Sequence, residues 1–294
     1  MYYLVYGLLY LISLLPFRVL YIISDAFYGL LYHVMGYRKK VVMNNLLIAF
    51  PAMSEEERKA IARKFYHNLV DYFFESIKLI SISDKQFNKR CSGNFDEINR
   101  VAATGTSIQV HSGHQFNLEL AIRIYSQKLS IPFVVVYMPI SNKPLDRIFR
   151  KVRLKYGSVL INATKYRRDM LGIYKKQHAL ALAADQSPGA PTAGFWLNFF
   201  GKPVPFLYAP EKRAQRSNVP VVFSNFKKIK RGYYSFENTI VTHTPAELPK
   251  GALTKMYRDF LEQQILEQPD NYLWSHRRWK NEFKEEYRKL WIDD

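Results

Sequence analysis

Hydrophobic and polar positions along the chain follow two different periods, which predict strands and helices in turn. Short apolar runs predict buried strands at residues 106–110, 132–138, 158–162, 178–184 and 219–226. Apolar residues three or four apart predict helices at residues 117–125, 142–156, 165–176, 210–216 and 253–266. Residues 232–241 alternate and predict an antiparallel edge strand. This order predicts an α/β fold with a mixed, mainly parallel sheet flanked by helices.

A capping box marks the start of a long helix upstream of these elements. Ser54 and Glu57 have the spacing at which each side chain bonds the backbone of the other residue. Apolar side chains three and four apart follow up to residue 80 and predict one buried helix face. Residues 81–105 are mostly polar and lead into the sheet, and residues 185–205 predict a loop rich in Pro and Gly.

The first 37 residues carry only two charged side chains, Arg18 and Asp25. They lack the basic start and the small-residue cleavage site of a signal peptide. The apolar run at residues 1–17 is short for a hydrocarbon core, which needs about 20 residues. The pattern fits a short spanning helix, an in-plane hairpin or a buried helix pair, and it favours membrane contact. We therefore predict a membrane-associated helical segment at residues 1–37 and one further domain at residues 38–294.

The formal net charge of +18 on 294 residues predicts acidic partners. Nucleic acid, an anionic membrane surface and an acidic protein all fit this charge. Arg38, Lys39 and Lys40 directly follow the apolar segment, as expected of a segment that faces the cytoplasm. The single cysteine, Cys91, excludes a disulfide within the chain and fits a reducing compartment.

His114 and Glu119 are the first candidates for chemistry. They follow a predicted strand at the point where it turns into a helix, which is where open α/β sheets usually keep their active sites. A carboxylate that holds a histidine ring in one tautomer makes that ring a better base. Five residues of regular helix turn through about 500°, so the two side chains cannot share a helix face. They can meet if His114 lies in the turn and Glu119 projects back from the helix.

The chain resembles the late acyltransferases of lipid A biosynthesis, within the acyltransferases that share a His-x4-Asp/Glu motif. The motif alone is weak, because it arises often by chance. The resemblance rests on a series of landmarks in order along nearly the whole chain, at residues 38–51, 112–119, 142–146, 185–186, 199–201 and 272–280. It implies that residues 38–294 form the acyltransferase domain.

The resemblance implies that His114 is the general base and Glu119 its orienting carboxylate. The implied reaction moves a fatty acyl group from a thioester to a hydroxyl of a glycolipid. A neutral imidazole takes the hydroxyl proton during attack on the carbonyl, so no covalent enzyme intermediate is required. We predict no cofactor. A zinc site of His111, His114 and Glu119 is disfavoured, because no further ligand has convincing spacing.

Substrate-binding side chains are expected at two of the landmarks. Asp185 and Gln186 follow a predicted buried strand and would shape the same cleft, although an Asp there can also cap a turn. Asn142 and Arg147 belong to the helix at residues 142–156, whose basic face would bind phosphates or an acidic carrier. The alternative is an ordinary surface helix packed by its apolar stripe.

His276, Arg277 and Arg278 form the third predicted substrate-binding group. In the family context they belong near the phosphorylated sugar of the acceptor, because guanidinium groups bind phosphate through two hydrogen bonds. A solvated basic face is the alternative. One departure concerns the acceptor, since many relatives have arginine where this chain has Met138, which puts phosphate recognition there in doubt.

The resulting prediction is a bacterial inner-membrane enzyme of Gram-negative type with its active site on the cytoplasmic side. The donor would be acyl-carrier protein, or alternatively acyl-CoA, and the acceptor a lipid A precursor. The same chemistry on a phospholipid, aminolipid or other glycolipid is the near alternative. A non-catalytic basic protein that binds membranes or nucleic acid is the distant one, and no nucleic-acid-binding motif supports it.

Overall fold

A computed structural model describes residues 1–173 and 175–293, without the side chain of Arg167. The predicted α/β class is confirmed. Within the described residues, seven strands form one mixed sheet in the order β1-β9-β8-β2-β5-β3-β4, in which only β8 and β9 are antiparallel neighbours. These strands are β1 (Cys91–Gly93), β2 (Ile108–Ser112), β3 (Phe133–Tyr137), β4 (Val159–Asn162), β5 (Ala179–Ala183), β8 (Val221–Lys230) and β9 (Tyr233–Thr242).

Helices cover both faces of the sheet, as the alternating pattern predicts. On one side α6 and α7 pack with Val110 of β2, and on the other α10 and α11 pack with Phe223 of β8. The α-helices are α1 (Tyr2–Leu14), α2 (Phe17–Gly29), α3 (Lys39–Ala49), α4 (Glu55–Lys78), α5 (Asp84–Asn88), α6 (Asp96–Ala102), α7 (Leu118–Lys128), α8 (Lys143–Leu154), α9 (Tyr166–Met170), α10 (Ala209–Ser217) and α11 (Ala252–Glu267).

Three local predictions differ from the structure. Strand β9 is antiparallel to β8 as predicted, but it is not an edge strand, because β1 pairs with its other side. The predicted loop at residues 185–205 contains most of a separate antiparallel hairpin, β6 (Gly194–Phe199) and β7 (Lys202–Leu207). The predicted helix at residues 165–176 is helical over α9 only, and its residue 174 lies outside the described residues.

The N-terminal segment consists of two helices with a sharp bend between them. A π-helical stretch, Leu30–Met35, continues α2. Within the described residues no single helix is long and apolar enough to cross a membrane. Only α1 and the helix from Phe17 to Met35 meet that test together, and they are bent by 116°. Their outer surface exposes large apolar side chains, among them Tyr3, Leu4, Leu8, Ile22 and Val34.

Polar contacts attach the inner side of this segment to α4. The Lys78 ammonium donates to the carbonyls of Ser13 and Leu15 at 2.7 and 2.8 Å, which satisfies free carbonyls at the end of α1. Ser24 in α2 donates to Asp71 at 2.7 Å. The predicted capping box of Ser54 and Glu57 begins α4. The segment is therefore packed on the rest of the fold through α4, with its apolar side outward.

Candidate active site

His114 lies in the turn between β2 and α7 and pairs with Asp185. Its ring Nδ1 is 2.6 Å from Asp185 Oδ1, and its backbone N–H donates to Asp185 Oδ2 at 2.9 Å. The sheet register explains this pairing. Strands β2 and β5 are parallel with Ser112 opposite Ala183, so the residues two positions beyond each strand meet at one edge.

Burial and charge act in opposite directions on this pair. Burial alone would lower the pKa of the His114 ring, but the charge of Asp185 and its hydrogen bond outweigh burial and raise the pKa above its ordinary value. Burial would raise the pKa of the Asp185 carboxyl. The charge and hydrogen bonds of His114, together with nearby Arg278, outweigh burial and hold the pKa below its ordinary value.

The ionised Asp185 fixes the tautomer of the His114 ring. A carboxylate only accepts hydrogen bonds, so Nδ1 carries the hydrogen and Nε2 of the neutral ring holds the lone pair. The side-chain nitrogen of Gln186 is 3.1 Å from Nε2 and donates to it. The Nε2 lone pair of His114 thus points toward the Gln186 amide at the wall of a cavity, where a hydroxyl can replace the amide as donor.

Surrounding residues hold the pair in place. The Tyr257 hydroxyl donates to the Ser112 carbonyl at 2.7 Å, and the backbone N–H of Leu273 donates to the His114 carbonyl at 3.1 Å. A Cβ added at Gly113 would lie 2.8 Å from a methyl group of the buried Leu261 side chain, so that methyl group would have to move. Close packing therefore positions the His114 turn from α11 and from the segment after it.

Glu119 does not bond the His114 ring, and the predicted pairing of these two residues is wrong. Both Glu119 carboxylate oxygens instead accept from Arg153 of α8, at 2.9 and 2.5 Å. Glu119 lies in the first turn of α7, whose N-cap is Asn117. The helix directs this carboxylate toward α8, and Asp185 takes the place beside the imidazole.

A cavity of about 1330 Å³ joins these groups and passes round the carboxyl ends of the central strands. His114, Glu119, Arg153 and Gln186 line it. A buried apolar part lies between the sheet and α7, lined by Val110, Ile122, Tyr125, Phe133, Val135 and Phe226. On the other side of the sheet, Lys212 and Arg216 of α10 line the same cavity. His114 thus lies in a cavity with one apolar and one cationic wall.

Comparisons with known proteins identify the family of this chain. The model of the bacterial lipid A biosynthesis acyltransferase family matches residues 1–281. The chain belongs to this family. The lipid A biosynthesis palmitoleoyltransferase of Escherichia coli (strain K12) is 22% identical over 277 residues, covering 93% of this chain and 89% of the relative.

Two further relatives agree. The lipid A biosynthesis lauroyltransferase of the same Escherichia coli strain is 25% identical over 287 residues, with 93% of this chain and 89% of the relative covered. A lipid A biosynthesis acyltransferase of Haemophilus influenzae is 25% identical over 280 residues, with 90% and 86% covered. The resemblance inferred from the landmark residues is confirmed, and with it the prediction of an acyltransferase.

Two predicted substrate-binding residues of this acyltransferase lie on α8, away from the cavity wall. The Asn142 side chain accepts from the backbone of Leu145 at 3.1 Å and caps the helix. The exposed Arg147 guanidinium lies 4.1 Å from the centre of the Tyr2 ring in α1. The basic face of α8 therefore contacts the aromatic side of α1. Substrate binding by these two residues stays a prediction.

The C-terminal landmark at residues 272–280 packs behind the site. Arg278 is 1% exposed, and its Nη1 donates to the carbonyl of Pro205 at 2.9 Å and to Ser187 at 3.2 Å. Burial lowers the pKa of His276 to about 4, although Asp185 raises it, so the ring is neutral near pH 7. Arg277 is exposed. None of the three lines the cavity as described, and their role in substrate binding remains a prediction.

Several residues of the site carried no clear signal in the sequence. Arg153 was one of several cations on a basic helix, and only the fold directs it to Glu119. Lys212 and Arg216 looked like ordinary surface charges on a short helix. Asp185 had a usable signal, because an acid directly after a buried parallel strand lies at the active edge of an α/β sheet. Within the described residues, no three His, Cys, Asp or Glu side chains converge to hold a metal.

Proposed function

We propose that this acyltransferase moves a fatty acyl group from an acyl-carrier-protein thioester to a hydroxyl of a lipid A precursor. His114 is the general base, and Asp185 orients it and stabilises the imidazolium. The observation that carries the proposal is the His114–Asp185 pair on the wall of a cavity with an apolar part. Family membership supports the reaction class and the acceptor.

The chemistry follows from the tautomer of His114. The acceptor hydroxyl takes the position of the Gln186 amide and donates to Nε2. Proton transfer to Nε2 accompanies attack of the oxygen on the thioester carbonyl, and the imidazolium is stabilised by Asp185. Collapse of the tetrahedral intermediate breaks the carbon–sulfur bond and expels the carrier thiolate, which takes the proton from the His114 imidazolium and leaves as the thiol. The Glu119–Arg153 ion pair supplies a fixed polar wall beside this centre.

The two walls of the cavity suggest where each part of the substrates binds. The part beneath α7 suits an acyl chain, because burial of each methylene contributes about 0.8 kcal/mol. Lys212 and Arg216 make no ion pair with any acid that the structure describes, and they suit the phosphate of a carrier arm. Acyl-carrier protein and acyl-CoA both carry such a phosphate, and the net charge of +18 favours the acidic protein.

The exposed apolar face of α1 and α2 supports attachment to the bacterial inner membrane from the cytoplasmic side. The bend of 116° and the polar anchors on α4 favour a hairpin that lies in the interface. Tyr rings and cations are typical of that depth. The domain division proposed here is a membrane-associated segment at residues 1–37 and a catalytic domain at residues 38–294.

The test uses the purified full-length protein in vesicles that contain a lipid A precursor, with acyl-carrier-protein and acyl-CoA thioesters supplied in separate reactions. Mass spectrometry should show one added acyl chain on the precursor, faster with the carrier protein. His114→Ala should abolish the product, while the exposed His243→Ala should not. Acylation of an added phospholipid or aminolipid in place of the precursor would assign the alternative acceptor. Product from His114→Ala would refute the base.

A further inference from the structure

A chain of hydrogen bonds connects the N-terminal helix pair with the helix of the active site. The Tyr21 hydroxyl in α2 donates to Glu75 Oε1 of α4 at 3.0 Å. The other oxygen, Glu75 Oε2, accepts from the Asn117 side chain at 3.1 Å. Asn117 Oδ1 in turn accepts from the backbone N–H groups of Glu119 and Leu120 at 3.0 and 3.4 Å. These hydrogen bonds thus connect α2 through α4 to the first turn of α7.

The connection is buried where it reaches the active site. Glu75 is 3% exposed and Asn117 is fully buried. Tyr234 of β9 also donates to Glu75 Oε2, at 2.8 Å. Glu75 thus accepts hydrogen bonds from Tyr21, Asn117 and Tyr234, and the two oxygens of one carboxylate can accept all three. The Tyr21 hydroxyl packs directly against Gly232, since a Cβ added at Gly232 would lie 2.0 Å from the hydroxyl oxygen.

Asn117 lies between the two groups that matter for catalysis. It follows His114 by three residues and precedes Glu119 by two, and its side chain caps α7. An N-cap of this kind fixes the direction of the helix start and contributes about 1 kcal/mol. A shift of Asn117 therefore moves both the His114 turn and the Glu119–Arg153 pair that lines the cavity.

We propose that Tyr21, Glu75 and Asn117 are positioning residues that link the seating of α2 on α4 to the geometry of the active-site turn. The inference rests on the proposed acyl transfer. Because α2 exposes its apolar side, the same helix that would contact the bilayer also holds the end of this hydrogen-bond chain. An acyltransferase whose α2 is displaced would bind both substrates but turn them over slowly.

The test compares two variants that each remove one α2–α4 hydrogen bond. Tyr21→Phe breaks the chain toward α7. Ser24→Ala removes the buried bond to Asp71, which also accepts from Arg231 and, within the described residues, makes no direct hydrogen bond to Glu75, Asn117 or α7. Tyr21→Phe should lower kcat about tenfold, the effect of one hydrogen bond to a charged group, with KM for both substrates unchanged. Ser24→Ala should keep kcat within about twofold of the unsubstituted protein.

A second measurement does not depend on activity. Hydrogen exchange of the peptide spanning residues 117–125 should be faster in Tyr21→Phe and unchanged in Ser24→Ala, because only the first loosens the cap. The double variant Tyr21→Phe/Asn117→Ala should be no slower in turnover than Asn117→Ala alone.

Equal kcat in Tyr21→Phe and Ser24→Ala, or unchanged exchange in Tyr21→Phe, would overturn the link. Absence of any acyl transfer by the unsubstituted protein would instead refute the proposed function, and hydrogen exchange would still decide whether the chain of bonds holds α7.

Discussion

His114 and Glu119 are five positions apart in the chain, yet each side chain is paired with a different, distant residue. His114 pairs with Asp185, which follows the neighbouring strand β5. The His114 side chain is 20% exposed. Glu119 in the first turn of α7 forms an ion pair with Arg153 of α8, and both carboxylate oxygens of Glu119 accept hydrogen bonds from Arg153. In the first pair the Nε2 lone pair of His114 accepts from the neutral Gln186 amide and can take up a proton, whereas in the second pair two opposite charges neutralise each other.

This difference shows that a short motif names the chemical groups but not their partners. In the first pair the carboxylate raises the pKa of the imidazole that we propose as the general base. In the second pair a permanently charged guanidinium fixes a carboxylate and shapes the wall. The two pairs should therefore respond differently to substitution, and their responses can be ranked.

The largest effect is expected for His114→Ala. Removal of the base should lower kcat/KM by about 10²- to 10⁴-fold, which is the usual contribution of general base catalysis. Transfer of labelled acyl chain in vesicles measures this loss, and thermal unfolding checks that the protein is folded. A loss of less than tenfold would show that another group accepts the proton.

Asp185→Asn should have the next largest effect, with a fall in kcat of roughly 10²-fold. The asparagine amide donates to Nδ1 and places the hydrogen on Nε2, which is the wrong tautomer for a base. The pH dependence of activity provides a second test of this pairing. Asp185 raises the pKa of His114 against burial, so activity falls as pH drops through that raised value. Loss of the carboxylate should move this acidic limb to lower pH, and an unmoved limb would contradict the pairing.

Glu119→Gln should lower kcat/KM by roughly tenfold without moving the acidic limb. Glutamine keeps the shape but loses the charge beside Arg153, and a partly buried guanidinium without its partner costs about 3 kcal/mol or more of stability. The pH–rate profile and the denaturant midpoint measure the two effects. If the acidic limb of the pH–rate profile moves as far in Glu119→Gln as in Asp185→Asn, Glu119 would again be the orienting carboxylate.

Arg153→Lys is expected to have the smallest effect, with kcat/KM lowered by less than about threefold. Lysine retains the positive charge but cannot make the bidentate contact with Glu119, so the cavity wall becomes less ordered. The same transfer assay, with the exposed Arg150→Lys on the same helix as control, measures this change. A loss as large as that of Glu119→Gln would mean that the guanidinium itself contacts substrate.

The sequence indicated more about the elements than about their contacts. The buried runs around residues 110, 135 and 181 predicted β2, β3 and β5, because a short continuous apolar run is a local signal of a buried strand. The hairpin of β6 and β7 was missed, since Pro203 and Pro205 disguise its second strand. The edge position assigned to β9 was wrong, because β1 has only three residues and no recognisable pattern.

By itself the sequence determined the α/β class, the family and the turn that presents His114, because all three depend on local patterns and on landmarks in order. Only the tertiary structure decided the partner of His114. Asp185 is 71 residues away, and it reaches the ring because β5 lies parallel beside β2 with Ser112 opposite Ala183. Strand order and register are set by packing of the whole sheet, so no spacing within the motif could select Asp185 over Glu119.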